Sequence, residues 1–525
     1  MRLVSVAALA GTCLVGAPGT AGCAAYQTDL SVRETDAILD GIGVQVDAER
    51  DEARKSSLEK ARSEAPPPED PVPSLVDLDE ALRIAARENR TLLRARDGLV
   101  LSALALRNAQ NDVGPRLSGT VRHVLAGSDR AEETLTTGAT VSAVGTLPTG
   151  AEARVTASGD KSHGRDDGVD SDASGSVTAI LSQPLLRGFG PESAYEALTD
   201  AERQSLYDVR QFELSRQDLA LLIQDSYYGL VTQKQVIRNR RSKLESLEFL
   251  KRRSERLFEM GRVSEVDKFR AAREYLTAEN DLVDAQQQYD TALDRFKIQL
   301  GLTTSAKLDV VEEIPEPGRF DLDLRKAVEV ALANRLDLMT ARDQVDDAER
   351  RVRIREREVL PDLRLELSGT RSSGARHVGD VAPLDRDDYG VGLALELPLD
   401  RVSERGALRA ARVAEDRARR DLSLLEDTVI LEVRAALREL RSAESSLAIQ
   451  EQIVASEEKN VKIARLRFEE GTISNRDLTD ALSSLADAQD RFVQEKANVE
   501  TARVAMWRAA GLLAMNEDGT WRTEL

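Results

Sequence analysis

Two stretches of the chain repeat each other in register, and that duplication limits what it can fold into more than any other feature. Arg256-Leu257-Phe258-Glu259-Met260-Gly261-Arg262-Val263-Ser264 reads against Leu466-Arg467-Phe468-Glu469-Glu470-Gly471-Thr472-Ile473-Ser474, with Phe, Glu, Gly and Ser coincident at a shift of 210 positions (471 − 261). The same shift carries Gly301-Leu302 onto Gly511-Leu512. Upstream, Ala95-Arg96-Asp97 falls on Ala341-Arg342-Asp343 and Pro115 on Pro361, at a shift of 246 (361 − 115). One unit is used twice, and its period is far too long for a solenoid. Two large similar halves predict a pseudo-symmetric body.

The first residues are not part of that body. Arg2 precedes the short apolar run Leu3 to Val15, and Thr20-Ala21-Gly22 precedes Cys23, which is a secretory signal layout. The small residues before Cys23 resemble a bacterial lipoprotein cleavage box with Thr20 in place of the usual Leu. Cleavage there would leave the Cys23 thiol at the N-terminus for acylation, whereas an ordinary secretory signal would be cut near Ala25. Cys13 lies inside the signal, so cysteine spacing fixes no fold. Residues 23–75 form a polar lead, with a candidate helix over 36–61 and a linker at Pro66-Pro67-Pro68, Pro71 and Pro73.

Periodicity then gives the same order twice. In the first half, Leu78, Ala81, Leu82, Ala85, Leu92 and Leu99 recur at helical spacing until Pro115. Alternation follows over Leu117–Leu125, Val141–Leu147, Ala151–Ala157 and Ser176–Gln183, with Gly159–Ser174 expected as a solvated loop. A helix over about 190–259 comes next, then a break at Gly261 and a restart where Ser264 and Asp267 resemble a capping box. The second half has a helix over 323–359, alternation over Leu363–Ser368, a loop over Arg371–Asp388 and alternation over Tyr389–Leu397. A long helix then breaks at Gly471 and restarts at Ser474. The prolines bracketing the strands are 69 positions apart in the first half (184 − 115) and 37 in the second (398 − 361), so the first carries an extra hairpin, placed at the Pro148 turn.

The returning helices carry Ala271, Tyr275, Ala278, Leu282, Ala285, Tyr289, Ala292 and Phe296 at alternating steps of four and three. The copy 210 positions on keeps the stripe except at Glu495. Such a stripe is a left-handed coiled-coil seam. No apolar run beyond the signal approaches the ~20 residues of a membrane helix. If the mature chain spans a membrane, it must do so as closed β-structure. The net charge of −19 disfavours nucleic acid as a partner. The sequence has no phosphate-binding loop, zinc-protease helix, paired-cysteine motif or nucleophile elbow, and its three histidines are dispersed, so neither an enzyme nor a cofactor is expected.

The order helix, strands, long helix, tight break, helix, used twice behind a signal, resembles the TolC-like outer-membrane efflux family over roughly residues 75–515. Ser182-Gln183-Pro184-Leu185-Leu186-Arg187-Gly188 resembles that family's strand-to-helix junction, and the run Phe468 to Ala481 its tip. The fold this implies is mainly α with a membrane β part: long antiparallel coiled-coil hairpins plus strands that form a shared trimeric α/β barrel, in two repeats at 76–315 and 316–515 with a tail at 516–525. Four core strands per chain would make a twelve-stranded barrel, with the extra hairpin adding strands or capping the mouth. Few aromatics are available for the usual membrane-interface girdles.

The resemblance implies a passive exit duct in the outer membrane, reaching into the periplasm as part of a tripartite efflux or type I secretion system. Its partners would be two further copies of the chain, a periplasmic adaptor, an inner-membrane pump and outer-membrane lipid. A periplasmic coiled-coil adaptor or a structural scaffold is the alternative, and the duplicated strands argue against both. The family's entrance aspartates match Asp477 and Asp480, which share a helix face. Asp267 is the weaker first-half equivalent, because Arg270 occupies the other position. The same residues also suit a helix cap at Asp477 and plain solvation at Asp480. Tip turns and adaptor contacts are expected at Phe258, Gly261, Ser264, Phe468, Gly471 and Ser474, and the lipid anchor at Cys23. The family's basic latch residue is replaced by Ile473.

Overall fold

The computed structural model describes residues 75–128, 131–164, 172–312, 314, 323–375, 384, 386–470 and 472–522. The signal segment, Cys23, the candidate helix over 36–61, the Pro-rich linker and the tip glycine Gly471 lie outside the described residues. The first half runs through β1 (Leu75–Val76), α1 (Leu78–Glu88), α2 (Arg90–Val113), β2 (Arg116–Ser128), β3 (Ala131–Thr146), β4 (Glu152–Gly164) and β5 (Asp172–Pro184). A short α3 (Pro191–Ala194) leads into α4 (Glu196–Glu259), which returns as α5 (Glu265–Leu300) and ends at β6 (Asp309–Val310). The second half repeats the order as α6 (Leu324–Asn334), α7 (Leu336–Glu358), β7 (Asp362–Ala375), β8 (Arg386–Glu396), α8 (Val402–Glu469) and α9 (Asn475–Ala509). Two short strands, β9 (Ala514–Met515) and β10 (Trp521–Arg522), close the described chain.

The helices set the long dimension. α4 has 64 residues and α8 has 68, so they span ~96 and ~102 Å at the α-helical rise. Each is lined by two shorter helices placed end to end. α4 packs on α5 and on α2, α8 packs on α9 and on α7, and α9 joins the halves by packing on α4.

The sequence predicts one unbroken helix before each strand block, and the structure breaks both. The first breaks at Asn89 and the second at Arg335, equivalent positions at the shift of 246 (335 − 89). The break is where the returning helix docks. The Asn89 side chain accepts from the Thr91 and Leu92 N–H groups, both at 2.9 Å, and its Nδ2 donates to the Gln299 carbonyl at 2.6 Å. Gly301 ends α5 at φ +90°, so close to Glu88 that a Cβ there would sit 2.1 Å from the Glu88 carbonyl oxygen. Gly511, at φ +68°, meets the equivalent break less tightly, an added Cβ lying 3.2 Å from the Arg335 nitrogen and 3.3 Å from the Asn334 carbonyl carbon. The Gly-Leu repeat legible in the sequence therefore marks two joints midway along the body.

The coiled-coil stripe is core. Ala271, Ala278, Phe296, Ala481, Ala488, Val499, Ala502 and Met506 are buried, and the polar exception Glu495 is half-buried. One apolar cluster gathers α1, α4, α5, β1 and β6 around Ile223, Tyr227, Phe296 and Leu300. A second gathers α6 to α9 around Leu338, Val433 and Met506.

At the far end, six described strands form one antiparallel sheet in the order β2-β3-β4-β5-β7-β8. The expected Pro148 hairpin is real and lies within the sheet as β3 and β4. The strands outrun their sequence boundaries. β4 continues to Gly164 and β5 starts at Asp172, where a loop was expected, and β7 and β8 reach Ala375 and Arg386. Cross-strand pairing carries the strands this far: Gly159 pairs with Gly175 and Lys161 with Ala173, so the ladder overrides polar local composition.

The register puts odd-numbered residues of all six strands on one face. Leu117 pairs with Ala143, Val155 with Ala179, Leu181 with Leu367, and Leu365 with Leu393. The even-numbered face is polar, with Ser118 beside Ser142, Ser158 beside Ser176, and Thr178 beside Thr370. Apolar residues on one face and hydroxyls on the other are the pattern of a membrane β-wall around water. The strands have 11 to 16 residues, enough to cross a bilayer at a tilt. Among the described residues no helix is long and apolar enough to cross a membrane.

Candidate functional site: the helical tips

Each hairpin turns in a way its sequence dictates. At the first tip, Gly261 takes φ +67°, a left-handed conformation that glycine adopts without steric cost. The Gly261 N–H donates to the Phe258 carbonyl and the Arg262 N–H to the Leu257 carbonyl, both at 2.9 Å, closing a Schellman motif. The Ser264 hydroxyl caps α5, accepting from the Asp267 N–H at 3.2 Å and donating to the Asp267 carboxylate at 2.7 Å. At the second tip, the Thr472 N–H reaches the Arg467 carbonyl at 2.9 Å, the equivalent bond.

Ser474 and Asp477 complete a capping box on α9. The Asp477 carboxylate accepts from the Ser474 N–H at 2.9 Å and from the Ser474 hydroxyl at 2.8 Å. Those hydrogen bonds hold its carboxyl below the usual range. Asp480 lies on the same face, 68% exposed, 3.5 Å from Arg476. Asp267 is paired with Arg270 at 3.3 Å. The tip thus presents two exposed carboxylates, of which Asp480 is partly offset by an arginine one turn earlier.

The aromatic residues face inward to different degrees. Phe468 is 8% exposed and packs with Leu247, Leu250, Leu478, Ala481 and Leu482, under the Arg253 guanidinium at 4.6 Å. Its equivalent Phe258 is half-buried beneath the Lys268 ammonium at 4.9 Å. The two tips are tied by the Asn475 side chain, which donates to the buried Ser254 hydroxyl at 2.6 Å. Sequence reasoning did not single out the exposed apolar residues of the first tip, Met260, Val266 and Phe269. Val266 and Phe269 stand three apart just after the cap, so helical spacing was the signal that could have found them.

A family model described as "Outer membrane efflux protein" matches residues 149–301 and 327–512. The chain belongs to the outer membrane efflux protein family. Alkaline protease secretion protein AprF of Pseudomonas aeruginosa is 25% identical over 346 residues, covering 64% of this chain and 69% of that protein. Outer membrane protein TolC of Vibrio cholerae is 22% identical over 338 residues, covering 61% and 74%. Among solved structures, the outer membrane protein VceC of Vibrio cholerae superposes with TM-score 0.62 at 17% identity, covering 83% of this chain and 96% of that one. The Campylobacter jejuni CmeC outer membrane channel superposes with TM-score 0.64 at 16% identity, covering 85% and 87%. The protein is therefore a bacterial outer-membrane efflux channel that extends into the periplasm, the exit component of efflux and type I secretion systems. Its work is passage, not catalysis, and the adaptor and scaffold alternatives fall away. TolC-family channels are trimers that work with an adaptor and an inner-membrane pump.

Proposed function

We propose that three copies of this chain close head to tail into one passive duct, and that Asp477 and Asp480 ring its periplasmic entrance. The observation that carries this is the match between the chain's two flanks. On one flank α5 exposes Phe269, Leu276 and Val283 at seven-residue steps. On the other, the tip half of α8 exposes Ile449, Ile453 and Ile463. The packing order α5-α4-α9-α8 alternates in direction, so an α8 meeting the α5 of the next copy continues the alternation. The sheet ends in the same sense, with β2 and β8 antiparallel and free on their outer sides among the described residues. A heterologous contact of this kind closes into a ring.

At the entrance, three copies bring together six carboxylates from Asp477 and Asp480, a ring that favours cations. The tips would receive the periplasmic adaptor, through which an inner-membrane pump loads the duct. Met260 and Val266 supply apolar surface for that contact beside the turns at Gly261, Ser264 and Ser474. Phe258 and Phe468 support it from within. Cys23 would carry acyl chains into outer-membrane lipid.

Trivalent-cation block of single-channel current tests the entrance. Block from the periplasmic side should be largely lost in Asp477→Ala with Asp480→Ala and strengthened in Arg476→Ala, which unpairs Asp480. A double variant that forms trimers yet binds the blocking cation as tightly as the parent removes these aspartates from the pore.

A further inference from the structure

The hairpin β3–β4 sits between β2 and β5, the first and last strands of the first half. It is paired along both sides, from Leu117↔Ala143 to Leu125↔Leu135 against β2 and from Glu152↔Ser182 to Ser162↔Asp172 against β5. It obeys the two-faced pattern of its neighbours. Ala139, Val141, Val155 and Ala157 are on the apolar face, and Thr140 and Thr156 on the hydroxyl face, as the register dictates.

Its periplasmic turn is also built into the collar where strands become helices. The Thr149 hydroxyl donates to Gln183 Oε1 at 2.7 Å, and Gln183 Nε2 donates back to the Thr149 carbonyl at 3.0 Å. The Gly190 N–H, just before α3, donates to the same carbonyl at 3.1 Å. Gln183 belongs to the junction run Ser182 to Gly188, so that run holds the inserted turn as well as joining strand to helix. A cap over the mouth would show none of these bonds.

Resting on the trimeric-channel reading, we infer that the hairpin is part of the membrane wall and that three copies close eighteen strands, not twelve. Six strands are too few to close alone, and in a bilayer both free edges must find hydrogen-bond partners. Adding two strands keeps β2 and β8 antiparallel, so the edge of one copy still fits the edge of the next. At about 4.8 Å between strands tilted about 40°, eighteen strands enclose a barrel about 36 Å across between backbones, against about 24 Å for twelve. The extra strands bring no extra long helices. The duct is therefore a wide outer mouth standing on a helical tunnel of ordinary bore.

Disulfide trapping in intact outer membranes tests this. Ser118→Cys with Ser142→Cys, and Ser158→Cys with Ser176→Cys, should each form a bond within one chain, because the native hydroxyl oxygens lie 2.8 and 2.9 Å apart. Cysteines on β2 and β8 should crosslink separate chains into trimers. Neutral polymers added from the outer side should enter the mouth at sizes a twelve-stranded barrel excludes. Trimeric β2–β8 crosslinks together with β2–β5 bonds, from Ser118→Cys to Thr178→Cys, would overturn the eighteen-stranded wall and leave the channel reading intact. Absence of any interchain β2–β8 crosslink would defeat both.

Discussion

Gly301→Ala should loosen the joint midway along the body, and two costs combine to set the size of the effect. Gly301 holds φ +90°, and an L-residue in the left-handed region costs ~1–2 kcal/mol. A Cβ there would also lie 2.1 Å from the Glu88 carbonyl oxygen and 2.4 Å from its carbon. Both are backbone atoms, so the docked helices must move apart, at ~1–3 kcal/mol for overpacking of this kind. Gly261→Ala is the control, because φ is +67° but nothing lies within 4 Å of its added Cβ. Amide hydrogen exchange on the purified trimer reads local opening directly. With tenfold per ~1.4 kcal/mol, Gly301→Ala should speed exchange at the α5 end and around Asn89 by about 30-fold or more, and Gly261→Ala should speed tip exchange by no more than about 30-fold. Equal acceleration at the two sites would show that the joint does not constrain the helices as described.

The Asp477 carboxyl is held low by Ser474, so its contribution is present above the unfolded pKa and lost as pH falls through the folded one. Amides at the start of α9 should therefore lose protection, relative to the intrinsic exchange rate at each pH, as the medium is acidified, and Ser474→Ala should show lower protection at neutral pH with a weaker pH dependence. Glu500 is 1% exposed, and burial raises its carboxyl pKa against the pull of Arg503 and Lys496; burial, with the Glu500 charge second, pushes the nearby Tyr228 hydroxyl up to about 12. A raised carboxyl favours the fold most below its unfolded pKa and loses that contribution as pH rises through the folded one. Glu500→Gln should accordingly melt higher than the parent at neutral pH, with the gap closing in acid; an unchanged gap across pH would contradict this. Cys23→Ser should abolish palmitate labelling while secretion persists, and unchanged labelling would end the anchor proposal.

Much of this architecture was legible because the repeat and the periodicities are global. The register of Gly261 with Gly471, and of Pro115 with Pro361, carries the two-hairpin plan without any contact information. The switch from helical spacing to alternation at Leu117 locates the sheet. What escaped depends on contacts between distant segments. Asn89 reads as one more helical residue until Gly301 is seen to need the backbone opening it makes. The strand ends at Gly164 and Asp172 look like loop by composition, and only cross-strand pairing extends them. At the site, the capping function of Ser474 and Asp477 follows from local spacing. Arg476 four residues before Asp480 was equally visible as a partner. The inward packing of Phe468 was not, since it depends on Leu247 and Leu250 from the other hairpin.

If this sheet is the wall of a water-filled pore in the outer membrane, thiol labelling along β7 must alternate residue by residue. Single cysteines replace Leu365, Glu366, Leu367 and Ser368 in turn, and intact cells are treated with a membrane-impermeant thiol reagent. Positions 366 and 368 lie on the polar face of the sheet, toward the water-filled lumen, and 365 and 367 on the apolar face, toward lipid. Labelling is expected at Glu366→Cys and Ser368→Cys, and protection at Leu365→Cys and Leu367→Cys. Equal labelling at all four positions, or labelling of the odd pair alone, would contradict that wall.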